Sequence, residues 1–163
     1  MNFTKRIKQK AFEIGFHKIG IVRAETLERE GERLKKWLGN NFHGEMKWLE
    51  REPEKSTNPQ LIFEEAKSII VVALNYFTPH KHEENRAKGK VSRYAWGDDY
   101  HDVVKEKLRE LLAFIKTLDE TVEGKICVDT APVMDKAWAV RAGLGWLGKH
   151  SNLITKEYGS WGF

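Results

Sequence analysis

The chain has 163 residues, of which 40% are hydrophobic and 32% are charged, and its formal net charge is +4 with a pI near 9.1. This length is typical of one globular domain with a real core, and the mild positive charge is compatible with a nucleic-acid partner without requiring one. No apolar run approaches the roughly 20 residues that span a bilayer, and no signal-peptide stretch follows the N-terminus, so we expect a cytoplasmic protein with no membrane partner.

The first third of the chain predicts a helix, a strand and a second helix. Apolar residues recur at helical spacing over residues 4–14, and Gly15 ends this helix. Residues 17–22 alternate loosely between polar and apolar side chains and predict a strand. Residues 26–38 predict a charged helix with one apolar stripe, which the segment Gly39-Asn40-Asn41 terminates.

The middle of the chain predicts short elements around one long apolar strand. Residues 45–50 favour a short helix, and the prolines and polar residues of 51–60 favour a loop. Residues 67–76 contain an unbroken apolar run, which is typical of a strand buried on both faces at the centre of a sheet. Residues 77–90 are polar and predict an exposed loop, whose His-Lys-His segment is more typical of solvated surface than of a metal site.

Two further helices and a strand complete the pattern. Residues 102–118 predict the most regular amphipathic helix of the chain. Residues 125–128 predict a strand, and residues 131–142 predict a helix with Thr130 as its cap and Pro132 in its first turn. Because strands and helices alternate along the chain, the sequence predicts an α/β fold in which helices layer against a sheet.

A glycine-rich loop follows the last helix and indicates a site. Gly143, Gly145 and Gly148 interrupt the helical pattern around Trp146 and Lys149. Glycines allow the backbone to approach a ligand closely. Asp129, at the junction between the predicted strand and the predicted helix, would face such a loop. An ordinary glycine C-cap is the alternative interpretation, but it does not explain a tryptophan between the glycines.

Cys127 is the single cysteine of the sequence. One thiol excludes an intrachain disulfide and fits a reducing compartment. An all-cysteine iron–sulfur cluster needs four thiolates, so this chain cannot hold one unaided. Residues 159–163 are mostly apolar and have the character of a strand cut short, so we expect the chain to be an N-terminal piece of a longer protein.

Several blocks of the sequence resemble one known family in the order in which they occur. The blocks are residues 58–61, 66–71, 92–101, 129–132, 141–150 and 158–161. Together they resemble the N-terminal half of the epoxyqueuosine reductases, which reduce an epoxide on a modified tRNA base to an alkene. The block Arg-Ala-Gly-Leu-Gly-Trp-Leu-Gly-Lys-His is the specific one, whereas Ala-Lys-Ser before a strand is weak alone. One position departs from the family, because Lys55-Ser56-Thr57 stands where an arginine usually precedes the Asn-Pro pair.

The resemblance implies a fold, an activity and a set of cofactors. It implies that residues 1–163 form an N-terminal cobalamin-binding catalytic domain with a nitroreductase-related layered fold, incomplete at its C-terminal end. It also implies cobalamin as cofactor, and two 4Fe-4S clusters in a ferredoxin-like domain downstream of this chain. The expected substrate is tRNA carrying epoxyqueuosine, the expected electron source is a donor protein or reductant, and we expect a monomer.

Asp129 is the residue to which the resemblance assigns proton donation. Expulsion of an epoxide oxygen is easier when a nearby acid protonates it, and burial of a carboxyl group beside a corrin ring favours its protonated form. Without the resemblance, an acid near a helix N-terminus, stabilised by the helix dipole, is the simpler interpretation. Asp135, which is followed by Lys136, is the second candidate acid, and we expect it on a solvated helix face.

The resemblance also implies cofactor contacts in two blocks and no protein histidine on cobalt, so we assign His101 no such role and name no metal-ligating residue. The expected cofactor-binding residues are Ser92, Arg93, Tyr94, Tyr100, Asp129, Gly145, Trp146, Lys149 and Leu153. The rings of residues 93–101 suit a large amphipathic ligand, although Asp98 or Asp99 would also cap the following helix. Lys149 could face phosphate instead.

The sequence is also compatible with two other functions. A cobalamin carrier or trafficking module would bind the cofactor without redox chemistry, and the cysteine count favours this function if the natural chain ends at Phe163. A reductive dehalogenase relative would use the same cofactors on small organohalides, and the lack of an export signal argues mildly against it. If the natural protein has eight cysteines in two ferredoxin-like groups downstream of Phe163, it is the epoxide reductase.

Overall fold

A helix, α1 (Phe3–Ile14), begins the chain in the computed structural model, which describes residues 2–163. The Asn2 side chain caps it by accepting a hydrogen bond from the backbone N–H of Thr4 at 2.9 Å. Gly15 ends it with a φ of 99°, a left-handed conformation that glycine adopts without steric cost. The predicted helix and its terminating glycine are therefore confirmed.

The following strand, β1 (Lys18–Arg23), pairs antiparallel with β2 (Ser68–Ala73), with Lys18 opposite Ala73 and Arg23 opposite Ser68. Beyond β2 the pairing passes to the C-terminus, where Leu74 and Phe163 exchange two backbone hydrogen bonds of 3.2 and 2.9 Å. Within residues 2–163 the sheet has two strands, and most side chains of β2 are only partly buried. The prediction of a central strand buried on both faces is wrong, because one side of β2 borders an open pocket.

Between these strands the chain forms α2 (Glu28–Gly39) and three short 3-10 turns. The turns cover Lys47–Glu50, Pro53–Ser56 and Pro59–Leu61. The predicted charged helix is confirmed, although it begins two residues later than expected. The prediction that residues 51–60 form an irregular loop is wrong, because proline at the first position of a turn fixes φ near the helical value and starts two of these turns.

The longest helix, α3 (Tyr100–Leu118), packs against α1 and closes the main core. Asp99 caps it, because its side chain accepts a hydrogen bond from the backbone N–H of His101 at 2.9 Å. A short 3-10 turn, Arg93–Ala95, precedes the cap. The buried residues of this core are Ala11, Ile14, Phe16, Val104 and Leu111, with Ile19, Ile70 and Val72 of the sheet packed against them.

The last third contains α4 (Asp135–Arg141) and a hairpin of two short strands, β3 (Trp146–Leu147) and β4 (Leu153–Ile154). The helix starts four residues later than predicted, and neither Thr130 nor Pro132 belongs to it. Asp129 has a φ of 53°, which turns the chain away from a helical path before Thr130 can act as a cap.

The predicted strand over residues 125–128 is also wrong for the described part of the chain. No strand among residues 2–163 pairs with this segment, and a strand exists only through hydrogen bonds to a neighbour. The fold is thus a mixture of helices and strands around a small antiparallel sheet. None of its described helices is long and apolar enough to cross a bilayer.

Candidate functional site

A wide pocket of about 1240 Å³ opens along β2. Its walls are β2, one face of α3, the segment 119–129 and the C-terminal residue Phe163. Its lining combines aliphatic side chains, such as those of Ile70 and Leu108, with polar and charged ones, such as those of Asp129, Asp135 and Lys136. Pockets for drug-sized ligands measure roughly 300–1,000 Å³, so this pocket has room for a larger ligand.

Tyr100 and Asp129 meet on the wall of this pocket. The Tyr100 hydroxyl donates a hydrogen bond of 2.7 Å to Oδ2 of Asp129. About two thirds of the Asp129 side chain is exposed, and its left-handed backbone directs it out of a tight bend. The hydrogen bond therefore fixes the orientation of an otherwise solvent-accessible carboxylate.

Aromatic packing fixes the ring of Tyr100. It stacks on Phe163 with a centroid distance of 4.3 Å and an interplanar angle of 5°, and His101 stacks on it at 4.0 Å. Tyr94 approaches it edge-on at 6.2 Å. Burial, and then the hydrogen bond to Asp129, raise the pKa of Tyr100, so its hydroxyl keeps its proton and remains the donor.

His101 lies between two carboxylates. Its Nδ1 is 2.7 Å from Oδ1 of Asp99, and its Nε2 is 3.5 Å from Oδ2 of Asp129. The hydrogen bond to Asp99 is the main cause that raises the pKa of His101, and the charges of Asp99 and Asp129 act in the same direction. The protonated imidazole is thereby favoured beside Asp129, where it can orient the carboxylate or share a proton with it.

Asp135 lines the same pocket and is the first residue of α4. Its side chain has access to solvent through the open pocket, yet the surrounding protein raises its pKa from 3.8 to about 6, with burial as the largest cause. The negative charge of Asp129 contributes to this rise, and Lys136 opposes it. Asp135 is therefore an exposed acid at the start of α4, as expected from the sequence, and it also lines the pocket.

The raised pKa of Asp135 predicts a pH-dependent gain in stability for Asp135→Asn. Because the pKa of Asp135 is higher in the folded than in the unfolded state, protonation of its carboxyl group favours folding. This contribution to the free energy of unfolding is lost as the pH rises from about 4 through 6. The asparagine stays neutral, so the difference in melting temperature, variant minus wild type, should increase between pH 4 and pH 7. Parallel melting curves across this range would contradict the assigned shift.

Of the nine residues expected to bind the cofactor, four line the pocket and five lie beside or outside it. Tyr94, Tyr100, Asp129 and Leu153 line the pocket, whereas Ser92, Arg93, Gly145, Trp146 and Lys149 do not. Arg93 lies instead among three aromatic rings, and Trp146 is half-exposed on the hairpin. Lys149 is exposed on the turn between β3 and β4.

Two residues of the site had no signal in the sequence. Phe163 stacks on Tyr100, which lies 63 positions earlier in the chain, and no local pattern reports such a contact. Cys127 also lines the pocket, where burial raises the pKa of its thiol. Among residues 2–163 no group of three His, Cys, Asp or Glu side chains has the arrangement of a metal site.

Comparison with known proteins gives one consistent family. Residues 57–130 match the family described as epoxyqueuosine reductase QueG, DUF1730. An epoxyqueuosine reductase from Cellulophaga algicola is 48% identical over 159 residues, which cover 96% of this chain and 51% of that protein. One from Atelocyanobacterium thalassa is 43% identical and is covered to 53%. The chain thus spans about half the length of the curated relatives it matches.

Solved structures give the same result. The epoxyqueuosine reductase from Streptococcus thermophilus superposes with a TM-score of 0.89 at 35% identity, over all of this chain and 44% of that one. A structure of such an enzyme with an epoxyqueuosine-modified tRNA-Tyr stem loop has a TM-score of 0.84 at 32% identity, covering 99% and 44%. The Bacillus subtilis enzyme, with an aspartate catalytic loop swung out of the active site, has a TM-score of 0.86 at 32% identity, with the same coverages.

Proposed function

We propose that this chain, which is similar to about half the length of known epoxyqueuosine reductases, is the N-terminal, cobalamin-binding part of such an enzyme. The observation that carries the proposal is the hydrogen bond between Tyr100 and Asp129 on the wall of a pocket large enough for a corrin cofactor. The complete enzyme would convert epoxyqueuosine to queuosine in tRNA.

The reaction defines what the protein must provide. Reduction of an epoxide to an alkene consumes two electrons and two protons and releases the epoxide oxygen as water. A carboxyl group that hands a proton to the departing oxygen lowers the barrier to carbon–oxygen cleavage. Asp129 is our candidate for this general acid, since it is the acid that the resemblance indicates and it is accessible from the pocket.

Tyr100 and His101 would act through Asp129 as positioning residues. The Tyr100 hydroxyl is 2.7 Å from Oδ2 of Asp129 and would hold the carboxyl group toward the substrate. His101, kept protonated by Asp99, would return a proton to Asp129 after each turnover. The bends over residues 129–132 would allow the acid to move, as the aspartate catalytic loop does in the Bacillus subtilis relative.

The residues of the pocket fit a corrin cofactor in volume and polarity. Its aliphatic walls and the rings of Tyr94 and Tyr100 suit the flat macrocycle, and Leu153 adds an apolar contact from β4. Ser92, Arg93 and the loop with Gly145, Trp146 and Lys149 would contact the peripheral amides and the tail. When bound, cobalamin supplies electrons for reduction of the epoxide. The two 4Fe-4S clusters would belong to a ferredoxin-like domain outside residues 1–163.

We further propose the partners of the complete enzyme. The substrate is tRNA carrying epoxyqueuosine, a proposal supported by the solved relative with an epoxyqueuosine-modified tRNA stem loop. The electrons come from a donor protein or a small reductant. The enzyme would act as a monomer in the cytoplasm, where tRNA is modified.

Titration of the full-length protein with cob(II)alamin tests the cofactor proposal. We expect saturable changes in the visible and EPR spectra at micromolar cofactor. Leu153→Gln, which places an amide in the apolar wall, should weaken binding, whereas Leu61→Gln changes an exposed leucine outside the pocket and should not. The proposal fails if a folded sample shows no spectral change at high micromolar cofactor.

Tyr100→Phe tests the positioning role. The change keeps the ring that stacks on Phe163 but removes the hydroxyl that donates to Asp129. A hydrogen bond to a charged group contributes about 1.5 kcal/mol at the low end of its range, so we expect kcat to fall roughly tenfold with cobalamin affinity unchanged. Tyr158→Phe is the matched control, because Tyr158 also lines the pocket but its hydroxyl makes no hydrogen bond within residues 2–163. Equal rates for the two variants would remove Tyr100 from the mechanism.

A further inference from the structure

A surface loop next to the candidate site is tied together at its base. We call residues 78–93 the basic loop. Arg93 Nη1 donates a hydrogen bond of 2.8 Å to the carbonyl of Thr78, which joins the two ends of the loop. Trp96 Nε1 donates a second one of 2.9 Å to the carbonyl of Val91. Compact loops with adjoining ends on a fixed base are frequent sites of binding.

The basic loop carries most of the net charge of the protein. It has five Lys or Arg residues and two Glu residues, a net charge of +3 out of the +4 of the whole chain. Glu83 is neutralised by Lys88 at 2.6 Å. The side chains of Lys81, Arg86 and Lys90 are exposed and form no ion pair within residues 2–163. Three cations therefore project from one short loop toward solvent.

The base of the basic loop is fixed against the candidate site. The guanidinium of Arg93 lies 5.6, 5.4 and 5.2 Å from the ring centroids of Phe77, Trp96 and Trp161. Such cation–π contacts stabilise a fixed orientation of the side chain. The next residue, Tyr94, lies edge-on to Tyr100, which holds Asp129. A ligand in the pocket that extends past Tyr94 would therefore meet the loop.

We propose that the basic loop binds the phosphate backbone of the RNA whose modified nucleotide enters the pocket. This inference rests on the proposed function, because an RNA substrate is needed to extend from the pocket. Lys81, Arg86 and Lys90 would each neutralise one phosphate. The loop contributes charge rather than base recognition, because long flexible cations on an exposed loop position a nucleic acid without reading its sequence.

The test compares two triple variants of the full-length enzyme. Lys81→Gln, Arg86→Gln and Lys90→Gln remove three charges from the basic loop. Arg33→Gln, Lys35→Gln and Lys36→Gln remove the same residue types from α2, where they are exposed, form no ion pair within residues 2–163 and do not line the pocket. The Kd for an unmodified anticodon stem-loop RNA is measured across a series of KCl concentrations.

We expect the basic-loop variant to bind the RNA roughly tenfold to a hundredfold more weakly at low salt. The slope of log K against log salt should become shallower by about 2, and kcat at saturating RNA should be unchanged. The α2 variant should bind like wild type. If both variants bind the RNA equally more weakly than wild type, the effect comes from the overall charge of the protein and the proposal is overturned. If neither variant binds more weakly, the basic loop does not contact the RNA and the proposal is also overturned.

Failure of the proposed function can be distinguished from failure of the loop proposal. If the wild-type enzyme binds cobalamin but no RNA, the proposed function and the loop proposal fail together. If wild type binds RNA and reduces epoxyqueuosine while the basic-loop variant matches it at every salt concentration, the loop proposal alone fails. Unchanged melting temperatures of both triple variants confirm that the comparison is between folded proteins.

Discussion

Asp129→Asn should lower the rate of epoxide reduction by the full-length enzyme about a hundredfold to ten-thousandfold, the usual effect of removing a general acid. The amide has the size of the carboxyl group and can still accept the hydrogen bond from Tyr100, but it has no proton to transfer. Cobalamin affinity should therefore survive. The measurement is single-turnover conversion of epoxyqueuosine in tRNA, followed by mass spectrometry of the nucleosides.

Asp135→Asn is the decisive comparison, because the structure places Asp135 in the same pocket with a pKa of about 6. A carboxyl group with that pKa holds a proton in a useful fraction of molecules near neutrality. We expect Asp135→Asn to retain most of the activity. A near wild-type rate for Asp129→Asn combined with loss of activity in Asp135→Asn would show that Asp135 is the acid. Activity in both variants would indicate that the leaving oxygen takes its proton from water or another group.

Gly145→Ala should destabilise the protein by about 1–3 kcal/mol or more, the range for overpacking a closely packed site. A Cβ at this position would lie 2.1 Å from the carbonyl oxygen of Ile154 and 2.9 Å from its carbonyl carbon. Both atoms belong to the backbone of β4, so the clash cannot be relieved by rotating a side chain. The measurement is the free energy of unfolding in urea, with the melting temperature as a second readout.

Gly39→Ala is the matched control for Gly145→Ala. Gly39 lies at the end of α2 with no atom within 4 Å of an added Cβ, so alanine should be neutral or stabilising by up to about 1 kcal/mol. The cofactor contact proposed at Gly145 is compatible with this close packing against β4, and the packing predicts the loss of stability independently. A Gly145→Ala protein that is fully stable but does not bind cobalamin would favour the cofactor contact.

The helices could be predicted from the sequence because their signals are local. The apolar spacing in α1 and α3, with Gly15 after one and Asp99 before the other, reports conformations decided within a few residues. The start of α4 could not be predicted in this way. Thr130 and Pro132 are good helix-start residues, but the left-handed backbone of Asp129 and the bends that follow override them.

The strand predicted over residues 125–128 does not form within the described part of the chain, for a different reason. Its composition is suitable for a strand, but pairing depends on a neighbour that residues 2–163 do not supply. The same reasoning applies to β2, whose apolar run predicted burial on both faces although its side chains border a pocket. Local composition describes what a segment can become, whereas burial depends on what packs against it.

For the candidate site, some members could be predicted from the sequence, but their arrangement could not. Asp129 and Tyr100 were both expected from separate blocks, 29 positions apart, and only the fold brings them to 2.7 Å. The role of Phe163 as a stacking partner and the pocket position of Asp135 depend on long-range packing. The three aromatic rings around Arg93 had no local pattern either.

The most direct test is conversion of epoxyqueuosine in tRNA by the full-length protein, loaded with cobalamin and with its iron–sulfur clusters reduced. We expect that the epoxyqueuosine nucleoside disappears and that queuosine appears in equal amount, at a rate that Asp129→Asn strongly reduces. A protein that binds cobalamin and accepts electrons but leaves epoxyqueuosine unchanged in tRNA would contradict the proposed function and favour a cobalamin carrier.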